Sequence, residues 1–187
     1  MRRFVYLPML LLLLTTACQK SGAPTTTTDT PQTATDYYNR GVERQNKGDM
    51  DGAVADYTKA IELDPKNVSA YNNRGNIKED KGNIIGAATD YTLAVAINQR
   101  HPTALFNLAH SYQVRKDYDG AIAAYSMAIE VKPDYAMAYA NRGLCQLYDG
   151  SDAEAQKDFD RAKEIDGNLK GSLDGYIAKV KQERMAR

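Results

Sequence analysis

The chain repeats itself every 34 residues, and no other feature restricts its fold as tightly. Tyr37-Tyr38-Asn39-Arg40-Gly41 returns as Tyr71-Asn72-Asn73-Arg74-Gly75, as Leu105-Phe106-Asn107-Leu108-Ala109, and as Tyr139-Ala140-Asn141-Arg142-Gly143. The second half of the unit keeps the same phase. Ala53, Tyr57, Ala60 and Pro65 become Ala87, Tyr91 and Ala94, then Ala121, Tyr125, Ala128 and Pro133, and finally Ala155, Phe159 and Ala162. A unit this short cannot bury its own apolar face, so neighbouring units must stack to build a continuous core. Four copies without an insertion fill residues 34–169.

This small–aromatic–small–proline pattern resembles the tetratricopeptide repeat. The resemblance implies an all-α fold, a right-handed α-α superhelical solenoid of four helix pairs at 34–67, 68–101, 102–135 and 136–169. A capping helix over 170–187 follows, with Leu173, Tyr176, Ile177 and Val180 at helical spacing and a charged end. The Gly or Ala at position 8 of each repeat is expected to face the Ala at position 20, with the aromatic at position 24 filling the gap to the next repeat. Pro65 and Pro133 end their helices, because proline cannot continue the hydrogen-bond ladder. Gln99 and Gly167 replace proline in the other two copies, and Arg100-His101-Pro102 predicts a different turn after repeat 2. Gly48, Gly82 and Gly150 occupy the turns within repeats, where positive φ is easy for glycine. Lys116 stands in their place in repeat 3 and predicts a strained turn.

A second regularity concerns charge. Position 7 reads Arg40, Arg74, Leu108, Arg142, and position 23 reads Asp56, Asp90, Ala124, Asp158. The two charges vanish together in repeat 3, which predicts an Arg–Asp pair joining the helices of the other repeats. Such pairs set the register of two helices more than they add stability.

Before the repeats, Arg2 and Arg3 precede an apolar run from Phe4 to Leu14, with Leu10 to Leu14 unbroken. A basic start and a short apolar stretch read as an export signal over 1–17, short of the roughly 20 residues that span a bilayer. Thr15-Thr16-Ala17-Cys18 resembles the lipobox of bacterial lipoproteins. Ala17 and Cys18 match it, whereas Thr15 stands where an aliphatic residue is usual. The resemblance implies acylation of Cys18, and Gln19 after it implies an outer-membrane lipoprotein facing the periplasm of a bacterial cell envelope. Several acyl chains would anchor it stably. Residues 18–33, rich in Thr with Pro and Gly, read as a disordered lipidated tether.

Composition restricts function. With 24 basic and 24 acidic side chains, nothing favours nucleic acid, whose phosphates demand a basic surplus. The balance is uneven along the chain: residues 34–169 carry 16 basic against 21 acidic, and 170–187 carry 5 against 2. Two histidines exclude a histidine-rich metal site, and the sequence holds no phosphate-binding loop, zinc-protease motif or nucleophile elbow. No cofactor, no metal and no catalysis are expected. Cys145 is expected to be a buried free thiol.

The tetratricopeptide resemblance places the function on the first helices of the repeats, which line a concave groove and bind a peptide. Position 6 is Asn39, Asn73, Asn107 and Asn141, amides able to hold a peptide backbone or, alternatively, to bond helix to helix. Tyr38, Asn72, Asn76, Glu79 and Asp80 make a polar, acidic stretch. Phe106, His110 and Gln113 follow, and Met137, Leu144, Leu147 and Tyr148 make an apolar end that the cap helix could also cover. No Lys or Arg occupies positions 2, 5 or 6, so clamping of an acidic tail is not expected. The expected function is a membrane-anchored adaptor with a protein or peptide partner. A homo-oligomeric scaffold using Leu144, Leu147 and Tyr148 is the alternative.

Overall fold

A computed structural model of the protein describes residues 32–185. Signal, Cys18 and most of the tether lie outside them. Helices pair in order: α1 (Ala34–Asn46) with α2 (Met50–Leu63), α3 (Val68–Asp80) with α4 (Ile84–Ile97), α5 (Pro102–Val114) with α6 (Tyr118–Val131), α7 (Ala136–Asp149) with α8 (Asp152–Ile165). α9 (Leu169–Met185) closes the array, and no strand occurs among the described residues.

Local chemistry sets these boundaries. Thr33 and Asp36 form a reciprocal capping box at the start of α1. The side chains of Asp49, Asn67, Asn83 and Asp117 accept from backbone amides three residues on. At α5 the same task falls to His101, whose Nδ1 accepts from the Ala104 amide at 3.2 Å, and Pro102 takes the first helical position.

The turn after repeat 2 matches the others where it leaves α4 and differs slightly where it enters α5, with His101 at φ −95°, ψ 101° beside −74°, 85° at Asn67 and −85°, 79° at Tyr135. Asn98 ends α4 at φ −136°, ψ 94°, beside −134°, 91° at Asp64 and −133°, 88° at Lys132. An Asx turn shapes this link with or without proline: beside Pro65, Asp64 Oδ1 accepts from the Lys66 amide at 3.0 Å. Asn98 Oδ1 accepts from the Arg100 amide and Asp166 Oδ1 from the Asn168 amide, both at 3.0 Å.

The core is a file of aromatic rings. Tyr57, Tyr91, Tyr125 and Phe159 are essentially wholly buried, each contributing about 1.5–3 kcal/mol on the area scale. Their rings fit the position-8 notches of their own repeats: a Cβ on Gly41 would stand 2.7 Å from Tyr57, and one on Gly75 2.6 Å from Tyr91. In repeat 4 the notch meets position 20 as well: a Cβ on Gly143 would stand 2.6 Å from Phe159 and 3.1 Å from the carbonyl oxygen of Ala155. The ring takes the space glycine vacates and packs on toward the next repeat, Tyr57 with Ala70 and Ile77 and Tyr91 with Leu108.

Between repeats, each first helix from α3 onward packs on the second helix before it more than on the first, α3 on α2 and α7 on α6. α9 reverses this and lies more on α7 than on α8.

Candidate functional site

The first-helix face begins with amides. Asn73 Nδ2 donates to the hydroxyls of Tyr38 and Tyr57, both at 3.4 Å. Asn107 Nδ2 donates to Asn72 Oδ1 at 3.0 Å and Asn76 Oδ1 at 2.9 Å, and Asn141 bonds the Tyr125 hydroxyl. Each of these amides reaches back to the preceding repeat. The recurrence of asparagine thus fastens repeat to repeat, the alternative kept open above. Asn39, with no repeat before it, is exposed, whereas Asn72 is only 6% exposed.

The network runs on to charged groups. Tyr91 Oη lies 2.8 Å from Asn76 Oδ1 and 2.9 Å from Glu79 Oε2, and His110 Nδ1 lies 2.8 Å from Glu79 Oε1. Burial pushes the Glu79 carboxyl upward, but hydrogen bonds from His110 and Tyr91 outweigh it and hold it below its ordinary value. Glu79 in turn raises His110 above the usual imidazole range, against the effect of burial. Burial, then the adjacent Glu79 charge, keeps the Tyr91 phenol protonated.

Beyond His110 the face turns apolar and deepens into a cavity of about 560 Å³. Phe106, Met137, Asn141 and Leu144 form one wall, and Leu173, Tyr176 and Lys179 of α9 form the other. Phe106 is held by stacking on Tyr135 at 5.0 Å and by an edge contact with Tyr125 at 5.4 Å. Tyr148 stacks on Tyr118 at 5.0 Å and donates to Glu183 of α9 at 3.2 Å. Leu147, 1% exposed, is packed with Leu173 and Val180, and Leu144 is partly covered by the same cluster. α9 therefore covers part of the apolar end, the second of the two arrangements open for it in the sequence.

Profiles of one family match the chain three times, as TPR repeat over residues 43–82 and as tetratricopeptide repeat over 68–101 and 102–135. The chain is a tetratricopeptide repeat protein. No curated protein matches its sequence. Among solved structures it is similar to MamA, at 25% identity and TM-score 0.68 over 74% of this chain and 81% of that one. It is also similar to YrrB, described as a TPR protein with an unusual peptide-binding site, at 20% identity and TM-score 0.70 over 86% and 81%. A third is the first TPR of Spaghetti (RPAP3) bound to the HSP90 peptide SRMEEVD, at 23% identity and TM-score 0.59 over 62% and 94%.

In this tetratricopeptide array the position-7 arginines are clamped away from the groove. Arg40 grips Asp56 through Nε at 2.8 Å and Nη2 at 2.5 Å, and Arg142 grips Asp158 through both nitrogens at 2.7 Å. Arg74 and Asp90 repeat the geometry. Sequence comparison missed the second cation at position 11. Arg44 reaches Asp56 at 2.9 Å and Lys78 reaches Asp90 at 2.8 Å. In repeat 3 positions 7, 11 and 23 are Leu108, Tyr112 and Ala124, so three charged positions became uncharged as a unit. Cys145 is buried and free, its thiol pushed up to about 12 by burial, which leaves it unreactive as a nucleophile. Among the described residues no cluster of His, Cys, Asp or Glu could hold a metal, and no helix is long and apolar enough to cross a membrane.

Proposed function

We propose that this tetratricopeptide protein is a membrane-tethered adaptor whose first-helix groove docks a peptide segment of a partner protein. The observation that carries the reading is the cavity of about 560 Å³ on the groove face, with Phe106, Met137 and Leu144 beside the amide of Asn141. Its size and mixed lining suit a side chain anchored by contact and oriented by a hydrogen bond. Peptide binding by the similarly folded YrrB and by the RPAP3 repeat supports the reading. The groove of this chain offers Glu79 and Asp80 and no Lys or Arg at positions 2, 5 and 6, so an acidic ligand such as SRMEEVD is not its match.

The tether follows from the lipobox resemblance at Ala17-Cys18. Acylation of Cys18 would hold the array at the outer membrane, facing the periplasm. By analogy with other tetratricopeptide lipoproteins, its partners would belong to envelope, pilus or secretion assembly or to cell-wall hydrolase recruitment. Catalysis has no part in this reading.

Photo-crosslinking from Met137, which is 44% exposed, and from Asn39 in intact cells tests it. A partner captured from Met137 and lost in Leu144→Glu supports the groove, and capture unaffected by Leu144→Glu refutes it. Release of the protein from membranes by Cys18→Ala checks the tether.

Self-association keeps one specific observation in its favour. Ile85 and Leu93 of α4 are 75% and 41% exposed, and the outward face of α4 carries no charge. Leu147, offered above for that contact, is packed against α9. Sedimentation of Ile85→Glu beside the parent chain separates this reading from the adaptor.

A further inference from the structure

α9 lies where a groove ligand would lie, and it fits imperfectly. Leu173 and Val180 are buried against Leu147 and Phe159, with Ile177 partly buried beside them. Tyr176 is 60% exposed, and the cavity remains open beneath it. Polar clips hold the helix at its edges. Arg184 donates to the Leu147 carbonyl at 2.9 Å and to Asp152, and Lys163 pairs with Asp174 at 2.7 Å. The signs match: residues 170–187 are net basic, and the repeats are net acidic.

The glycines of α9 are a separate observation. A Cβ on Gly171 or Gly175 would meet nothing within 4 Å, unlike the notches at Gly41, Gly75 and Gly143. Neither serves a close approach, and neither has positive φ. Each makes the helix several-fold less favourable than alanine would. α9 thus combines a ligand-like position, complementary charge, loose packing and a weakened backbone.

We propose that the groove face of α7 is a helix-binding surface, that α9 covers it as an internal ligand, and that the partner supplies an amphipathic helix of the same pattern that takes the place of α9. That helix has apolar residues at the spacing of Leu173, Ile177 and Val180 and a basic residue one turn beyond, placed as Arg184 is. The proposal rests on the groove reading and adds the class of peptide and the element it displaces.

The test uses the full chain and a fluorescent peptide of residues 169–185 carrying Gly171→Ala and Gly175→Ala as the probe. Parent, a Gly171→Ala/Gly175→Ala chain and a Leu173→Glu/Val180→Glu chain are compared. The glutamate chain should bind the probe at least about tenfold more tightly than the parent, and the alanine chain about tenfold more weakly, because apparent affinity scales with the uncovered fraction. Equal affinity in all three, no binding to the glutamate chain, or binding that survives Leu144→Glu in it overturns the proposal. Hydrogen exchange gives a second measure should the glutamate chain misfold. Amides of 169–185 should exchange faster than those of α3 to α6 and slow about tenfold in the alanine chain, and uniform protection overturns the proposal. No native partner is needed, so failure here is distinct from failure of the cross-linking that tests the groove.

Discussion

Arg74 holds Asp90 through two nitrogens, Nε at 2.9 Å and Nη2 at 2.7 Å, while Nη1 donates to Thr58 of the preceding repeat at 3.1 Å. Arg142 does the same with Asp158 and Ser126. One guanidinium thus fixes the two helices of its own repeat and the seam to the repeat before. Asp90 is 1% exposed and also pairs with Lys78, so Asp90→Ala leaves two cations facing an apolar gap. It should destabilise the protein by about 2–4 kcal/mol. The triple change Arg74→Leu, Lys78→Tyr, Asp90→Ala copies Leu108, Tyr112 and Ala124 of repeat 3 and should cost less than half as much. Urea titration of both variants measures the difference.

Lys116 has φ 63° where Gly48, Gly82 and Gly150 have 84°, 78° and 95°. The left-handed conformation crowds the Cβ of any L-residue against its own backbone. Lys116→Gly should therefore raise stability by about 0.5–1 kcal/mol, the relief of strain exceeding the added freedom of the unfolded chain. A thermal melt that fell in Lys116→Gly would contradict this.

What could be read in the sequence depended on having copies to compare. The solenoid was legible because the packing residues recur in phase four times. The Arg–Asp pairs were legible because repeat 3 lacks both partners. By the same logic another pairing lay in view and was overlooked. The hydroxyls of Tyr57, Tyr91 and Tyr125 donate to Gln45, Glu79 and Gln113, twelve residues earlier in each repeat. In repeat 4 the ring is Phe159 and the acceptor position is Leu147, so hydroxyl and acceptor disappear together. Features that occur once gave no such signal. The bond from His110 to Glu79 crosses between repeats at positions that match in no other pair, and the packing of α9 on α7 occurs once in the array. The amides at position 6 recur faithfully, yet recurrence alone could not tell a fastening between repeats from a ligand contact.

The Glu79–His110 pair predicts a pH window. His110 is raised above its ordinary 6.5, so its contribution is complete below that pH and lost as pH rises through the higher native value. Glu79 is held below 4.5, so its contribution is present above that pH and lost as pH falls. The stability difference between the parent and His110→Gln should peak between these values and shrink on either side. Glu79→Gln should lower the His110 titration midpoint followed by NMR, and an unchanged midpoint would break the link.

Gln146 occupies the position that Arg44 and Lys78 occupy in repeats 1 and 2, and its Oε1 is buried without a hydrogen-bond partner. The corresponding cations stand 2.9 Å from Asp56 and 2.8 Å from Asp90, whereas Asp158 receives Arg142 alone from its own repeat. Gln146→Lys would remove the orphaned oxygen and give Asp158 a second cation along the path Lys78 takes. Both changes act in the same direction, since an unpaired buried oxygen costs about 1–3 kcal/mol and a charged hydrogen bond contributes a similar amount. Against them stands the desolvation of a new ammonium, which Lys78 tolerates at 26% side-chain exposure. The balance should favour Gln146→Lys by roughly 1 kcal/mol in urea titration. The gain should vanish in an Asp158→Asn background, because there the ammonium would meet no carboxylate.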